Sequence, residues 1–413
     1  MIVEIISIGD ELLIGQTLNT NASWLGKQLL EIGAIAKRVT TIGDDQECIK
    51  NAWQAAADRA NVIITTGGLG PTHDDVTIKA ACDFFASDLI INHEVLENIK
   101  TRFQKRGIPL SKINKDQALV PAKAEIILNE QGTAPCLKFV KEERLFYILP
   151  GVPHEMMGIM ISSVLPELKK ELKDSFLEKK TFSTTGIAES ILAERLDLRL
   201  LETIAEVAFL PNPHGVKLRI ICQADNREKA RENLEKATRH IRERAARFIY
   251  AEEDISLENV LAKWFVENNK TIAVAESCTG GLIAHRFTNI PGSSKFFERG
   301  VVTYSNESKM DILNVPAEYI EEFGAVSAKV AEAMAEGIRK TAGTDFGISA
   351  TGIAGPDGGT ENKPVGLFFT GFSSENETVS ERFVFADQRI INKERFSQAA
   401  LDLLWRKIYN IHD

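Results

Sequence analysis

The chain has 413 residues, 44% hydrophobic and 26% charged, which is too long for one core, because single cores stop growing at about 250–300 residues, and too apolar for disorder. A formal net charge of −9 and a pI near 5.5 provide no general field for a polyanion, so direct nucleic-acid binding is not expected, whereas small phosphorylated ligands stay open because backbone amides bind them without net positive charge. With no basic leader before the first strand and no apolar run of bilayer length, the expectation is a cytoplasmic protein without membrane contact. Five scattered cysteines (Cys48, Cys82, Cys136, Cys222 and Cys278) with no Cys-x-x-Cys predict neither a disulfide framework nor a zinc cage.

Residues 1–172 alternate strands and helices. Val3 to Ile8, Ile35 to Thr41, Val62 to Thr66 and Arg144 to Leu149 read as strands, Asn19 to Ile32 as a helix closed by Gly33, and His154 to Leu172 as a closing helix. Such alternation predicts a parallel sheet with helices on both faces. Residues 173–252 shift to a shorter α+β pattern: a strand, a helix over Glu189 to Leu201, a hairpin-like Val207 to Cys222 turning at Pro211-Asn212-Pro213, and a charged helix towards Phe248. Residues 253–413 return to α/β, with helix Leu257 to Glu267, strands Thr271 to Ala275 and Phe346 to Ala350, an antiparallel pair Val365 to Phe372 and Thr378 to Phe385, and a last helix from Arg389 to Ile408.

In the first domain, Gly67-Gly68-Leu69-Gly70 followed by Asp74-Asp75 sets a glycine turn and two carboxylates between a strand and a helix. Glycines let a phosphate approach backbone amides, and paired carboxylates suit a hard divalent cation of unspecified identity. Asp10-Glu11 ends the first strand on the ligand side of a parallel sheet, and Glu155 follows Leu149-Pro150-Gly151 towards the same crevice. The plain alternative is that Asp74 and Asp75 merely favour a helix start.

In the last domain, strand 271–275 runs into Glu276-Ser277-Cys278-Thr279-Gly280-Gly281, which places Ser277 where a strand hands over to a helix and surrounds it with unpaired backbone amides, suited to an oxyanion. Ser277 or Thr279 as a simple cap is the competing reading. Gly300-Val301-Val302-Thr303-Tyr304-Ser305-Asn306 then leads into a helix carrying Lys309. A serine needs a base, and lysine serves only if desolvation takes its pKa from about 10.4 to about 7–8, worth roughly 4 kcal/mol. The glycine-rich Thr351-Gly352-Ile353-Ala354-Gly355-Pro356 segment suits a phosphate or ribose.

Together these segments resemble the hallmark motifs of the CinA family, in which a MoaB/MogA-like N-terminal domain, a KH-like middle module and a C-terminal nicotinamide-nucleotide amidase domain follow one another. The resemblance implies hydrolysis of nicotinamide mononucleotide to nicotinate mononucleotide and ammonia, with no cofactor. It makes Ser277 the nucleophile, Lys309 its base and Tyr304 a hydroxyl that holds or relays the proton. Thr279, Gly280, Gly281, Thr351, Gly352, Ala354 and Gly355 would line the substrate pocket and Arg299 would meet the phosphate. For the N-terminal domain it implies metal-dependent cleavage of ADP-ribose to AMP and ribose 5-phosphate, with Gly67, Gly68 and Gly70 on the nucleotide and Asp10, Glu11, Asp74, Asp75 and Glu155 handling metal and water. Leu69 stands where molybdopterin enzymes carry a hydroxyl residue, which points away from pterin adenylylation. No Gly-x-x-Gly loop occurs between Phe182 and Tyr250, so the middle module is expected to act as a spacer or dimer contact in a homodimer rather than as an RNA clamp. A regulatory or adaptor protein of DNA uptake and damage response, and a molybdopterin-binding protein, are the competing readings.

Overall fold

The computed structural model describes residues 1–70, 76–105, 107, 109, 115–172, 176–386 and 388–411. The chain divides into two compact units, Met1–Phe176 and Leu177–Asp413. Among the described residues no helix is long and apolar enough to cross a membrane.

The first unit is built on strands β1 (Ile2–Ile8), β2 (Ile35–Ile42), β3 (Val62–Thr66), β4 (Glu125–Ile127), β5 (Cys136–Lys141) and β6 (Arg144–Leu149). They form one sheet in the order β2-β1-β3-β6-β5-β4. β2, β1, β3 and β6 run parallel, while β5 and β4 are antiparallel additions at one edge. The sheet is therefore mixed rather than wholly parallel.

Both faces are buried, so the inner strands are mostly apolar, and the polar side chains they do bury are Glu4 and Ser7 on β1 and Thr65 and Thr66 on β3. Val3, Ile5 and Ile64 pack under α1 (Thr20–Ile32) and the long helix that begins at Pro153. Ile6, Ile8 and Ile63 pack on the other side against α2 (Gln46–Ala57) and α3 (Thr77–Phe84). Fully buried aliphatic side chains of this kind contribute about 1.5–3 kcal/mol each. Asn19 caps α1 by accepting from the Ala22 amide, and Gly33 ends it in the left-handed region.

The second unit opens with a four-stranded sheet, β7 (Phe176–Thr184), β8 (Glu206–Asn212), β9 (Gly215–Ala224) and β10 (Ile249–Ala251), in the order β8-β9-β7-β10. The charged helix Arg227–Ala245 buries only a narrow stripe, including Ala237 and Ile241, against it. The C-terminal domain follows with β11 (Ile272–Glu276), β12 (Phe297–Val302), β13 (Phe346–Gly352), β14 (Leu367–Ser373) and β15 (Thr378–Val384), ordered β12-β11-β13-β14-β15. β11 is parallel to both neighbours, whereas β14 is antiparallel to both β13 and β15. One face is covered by helices Leu257–Glu267, Leu282–Thr288 and Arg389–Ile408, the other by Ala328–Ala342. This arrangement brings the C-terminal ends of β11, β12 and β13 to one rim.

Candidate functional site

Ser277 lies one residue beyond β11 at that rim. Its amide donates to the Ala350 carbonyl on β13 at 2.9 Å, and its own carbonyl accepts from the Gly280 amide at 3.1 Å, so a tight turn presents the half-buried hydroxyl. Gly280 and Gly281 both have positive φ, 62° and 94°, a conformation that costs a side-chain-bearing residue about 1–2 kcal/mol.

The helix after the turn is held from below by Glu276. Its buried carboxylate accepts from the amides of Gly281, Ile283 and Ala284 at 3.0, 3.1 and 2.9 Å. The expectation that unpaired helix amides surround Ser277 is thereby narrowed, because Glu276 occupies the helix start itself. The amides of Cys278 and Thr279 follow Ser277 in the turn and also face the Cys278 thiol, and they are the nearest backbone donors in sequence to the serine hydroxyl.

Lys309 sits one turn into the helix Asn306–Leu313, whose N-cap Ser305 accepts from the Ser308 amide. Its side chain is 1% exposed. Nζ lies 3.2 Å from Ser277 Oγ and 2.8 Å from the Thr303 carbonyl, with the Tyr304 and Ser305 carbonyls each at 3.3 Å. Burial pulls the ammonium below its ordinary pKa, opposed by the nearby Cys278 and Glu307. A neutral amine here can donate its two N–H groups to carbonyls and aim its lone pair at the serine proton. Cys278, next to the nucleophile, is pushed up to about 12 by burial, which keeps its thiol protonated and out of competition.

Several other expected positions fall on the same rim, though in roles set by local bonding. The Tyr304 hydroxyl accepts from Arg389 Nη2 at 3.3 Å, and what Tyr304 gives Lys309 is its backbone carbonyl. The Thr351 hydroxyl donates to the Ala325 carbonyl at 2.8 Å. Ala354 and Gly355 present carbonyls to Asn392 and Arg389 at 3.1 and 2.6 Å, and Gly352 ends β13 with no space for a side chain, since a Cβ there would stand 2.7 Å from the Leu367 carbonyl oxygen. The Thr279 hydroxyl is fully buried and lacks a partner among the described residues. Arg299 is not brought to the serine: it pairs in register with Ala273, three residues short of Glu276, and its exposed guanidinium meets Glu298 at 3.3 Å.

The cation that does reach the rim is Arg389, with Lys393 one turn further along, where its Nζ would lie 3.5 Å from a Cβ on Gly280. Neither was singled out from the sequence. The available signal was a basic residue opening a helix, where acidic ones are favoured, a local rule broken at a functional position.

In the first unit, Gly67 and Gly68 form the expected turn at the end of β3, with φ of 119° and 66°. A Cβ on Gly67 would strike the Ile8 carbonyl oxygen at 2.2 Å, so only glycine fits between β1 and β3. Asp10 and an unanticipated partner, Asp44, bracket the neighbouring strand ends: the Asp10 amide donates to Asp44 at 2.9 Å and the Asp44 amide to Asp10 at 3.3 Å. Glu11 lies exposed, its carboxylate folded beside Gly9. Glu155 accepts from Asn129 Nδ2 at 2.7 Å and abuts Gly132, which ties it to the 129–132 loop. Asp74 and Asp75 lie outside the described residues. Among the described residues no group of three or more His, Cys, Asp or Glu side chains converges to hold a metal, so Asp10, Glu11 and Glu155 do not by themselves make the expected cation site.

Fold and site define a three-part α/β protein whose last domain pairs a half-buried serine with a buried lysine, consistent with amidohydrolase-type chemistry. Residues 4–170 match the model described as "Probable molybdopterin binding domain", residues 179–251 "Damage-inducible protein CinA KH domain", and residues 254–408 "CinA C-terminal domain". The "CinA-like protein" of Chloroherpeton thalassium is 41% identical over 420 residues, covering 99% of this chain and all of that one, and the "CinA-like protein" of Dictyoglomus thermophilum is 39% identical over 409 residues, covering 99% of each. The chain belongs to the CinA family. Among solved structures, the competence/damage inducible protein CihA from Agrobacterium tumefaciens is 38% identical over 36% of this chain and 92% of its own, with a TM-score of 0.36. The protein CinA with unknown function from Thermoplasma acidophilum is 32% identical over 42% of this chain and 98% of its own, with a TM-score of 0.37.

Proposed function

We propose that the C-terminal site hydrolyses the carboxamide of nicotinamide mononucleotide to nicotinate mononucleotide and ammonia. The observation that carries this reading is the 3.2 Å approach of a desolvated Lys309 amine to the Ser277 hydroxyl. The neutral amine takes the serine proton as Oγ bonds to the carboxamide carbon, and the carbonyl electron pair moves onto oxygen, towards the Cys278 and Thr279 amides. When the carbon–nitrogen bond breaks, the leaving amide nitrogen takes the proton from Lys309 and departs as ammonia. Water then adds to the resulting ester, giving its proton to Lys309. Cleavage of the carbon–Oγ bond returns that proton to Ser277 and releases the acid. Arg389 and Lys393 supply the positive charge for the substrate phosphate.

An ammonia-release assay over a panel of pyridine nucleotides and nucleosides tests the reading. Release from nicotinamide mononucleotide by the native chain and none by Ser277→Ala is expected. Equal release by both would remove Ser277 as nucleophile.

For the N-terminal crevice, the proposed reaction is divalent-metal-dependent cleavage of ADP-ribose to AMP and ribose 5-phosphate. It is supported by the Gly67-Gly68 turn at the end of β3, near the strand ends that Asp10 and Asp44 bracket. AMP release that persists unchanged in the Asp74→Asn, Asp75→Asn double variant would defeat that assignment.

A further inference from the structure

The last helix, Arg389–Ile408, carries the two cations of the rim near its start, and further along it meets the middle module. The meeting point is Thr185, which follows β7 and is 1% exposed. Its amide donates to the Phe248 carbonyl at 2.9 Å, which ties it to the entry of β10. Its hydroxyl accepts from Gln398 Nε2 at 3.0 Å and also bonds the buried carboxylate of Asp402, one turn further along the same helix. Thr185 is thus held between two successive turns of the last helix.

The other end of the Gln398 side chain reaches the helix behind the nucleophile. Its Oε1 accepts at 2.8 Å from Arg286 Nη2, on the helix Leu282–Thr288 that follows the Ser277 turn. Arg286 is itself buried, and it donates to Ser397 Oγ at 3.0 Å and to Glu258 at 2.7 Å. One amide side chain therefore joins the middle module, the last helix and the helix behind Ser277. Apolar side chains of the same volume would hold such a seam about as firmly, because buried polar groups recover their desolvation cost only when fully paired. Directional bonds add a single register, since they weaken steeply once donor and acceptor leave alignment.

We propose that Gln398 is a positioning residue for the amidase site and that Thr185 acts through it. By this pair the middle module sets the angle at which the last helix presents Arg389 and Lys393 to the rim. The inference rests on the reading of that rim as an amidase site for a phosphorylated substrate. Helix geometry makes the lever effective. The stretch from Arg389 to Gln398 spans about 14 Å, so a tilt of about 5° at Gln398 moves Arg389 by about 1 Å, enough to weaken a charge-assisted contact that depends on alignment. Thr185 and Gln398 are both buried in the seam, so their effect on the substrate passes through those cations.

Steady-state ammonia release by full-length variants tests the proposal, with nicotinamide mononucleotide and its unphosphorylated riboside as substrates. Thr185→Val removes the hydroxyl and keeps the volume. It is expected to raise KM for the nucleotide at least fivefold, with kcat and the riboside kcat/KM within twofold of native, and Thr185→Ser should restore the native KM. Gln398→Met should raise KM in the same way and serves if Thr185→Val does not give a native-like melting curve. A folded variant with native KM overturns the proposal, and so does an equal loss on nucleotide and riboside, which a general loosening of the fold would produce. Hydrogen–deuterium exchange reads the same coupling without substrate: residues 389–397 should exchange faster in Thr185→Val than in the native chain or Thr185→Ser. A native chain that releases no ammonia removes the amidase reading. Faster exchange at 389–397 would then still support control of this helix by the middle module, and unchanged exchange would overturn that as well.

Discussion

Lys309 Nζ meets Ser277 Oγ although the two residues are 32 positions apart, because their strands, β12 and β11, are parallel neighbours that finish at the same edge. Removing either partner tests whether the pair acts as one unit. Ser277→Ala is expected to lower kcat for ammonia release by at least about 10⁴-fold, and Lys309→Met by about 10²–10⁴-fold. The double variant should be scarcely worse than Ser277→Ala. Multiplied losses in steady-state kinetics would show independent roles.

Lys309 has its folded pKa drawn below the ordinary 10.5 by burial, so a rate that requires neutral amine should rise with pH along an acid limb centred below that value. Stability carries the matching sign. Between the folded and unfolded pKa values the unfolded chain binds more protons, so stability increases with pH across that window. Lys309→Met should flatten this slope in pH-dependent denaturation, whereas a slope identical to that of the native chain would place the shift elsewhere.

Arg389 approaches the rim from the last helix through the Gly355 carbonyl and the Tyr304 hydroxyl. Arg389→Ala is expected to raise KM for nicotinamide mononucleotide about 10- to 100-fold, the worth of a charge-assisted contact. It should leave the unphosphorylated riboside unaffected. An equal loss on both substrates would assign Arg389 to loop support alone.

Glu276 accepts three backbone amides while almost wholly buried. Glu276→Ala leaves those donors without a partner and is expected to cost about 3 kcal/mol of stability. Glu276→Gln retains acceptor oxygen and should recover part of it. Chemical denaturation of the three chains measures both effects, and no difference between native and Ala chains would contradict the capping role.

The β5–β6 hairpin turns at Glu142-Glu143, both with positive φ, 49° and 61°. Such residues cost about 1–2 kcal/mol each in the left-handed region, so replacing the pair with Asn-Gly is expected to raise stability by roughly 1–2 kcal/mol. A denaturation midpoint that does not move would show the turn to be unstrained.

That hairpin also shows where the sequence fell short. Asn-Gly would have announced an antiparallel turn, but Glu142-Glu143 carries no such signal, and the two antiparallel edge strands were not anticipated. Helix α2 was also passed over, though Ile49, Trp53 and Ala56 bury at helical spacing. Ser277 was legible because a glycine turn after an apolar strand marks the functional edge of an α/β sheet, whereas Lys309 as its base rested on the resemblance to the CinA motifs.

Local pattern alone determined the strands that lead to Ser277 and to the Gly67-Gly68 turn, since burial on both faces demands mostly apolar residues and the close approach of Gly67 to the Ile8 carbonyl leaves room only for glycine. The residues that converge on those ends were decided only by tertiary structure. Glu276 bonds to amides whose positions depend on the turn, Asp44 meets Asp10 across a strand pair, and Arg389 arrives from 112 residues beyond Ser277. Charge and hydrogen bonding act through space, so the pairing of such groups is set by the fold and not by their separation along the chain.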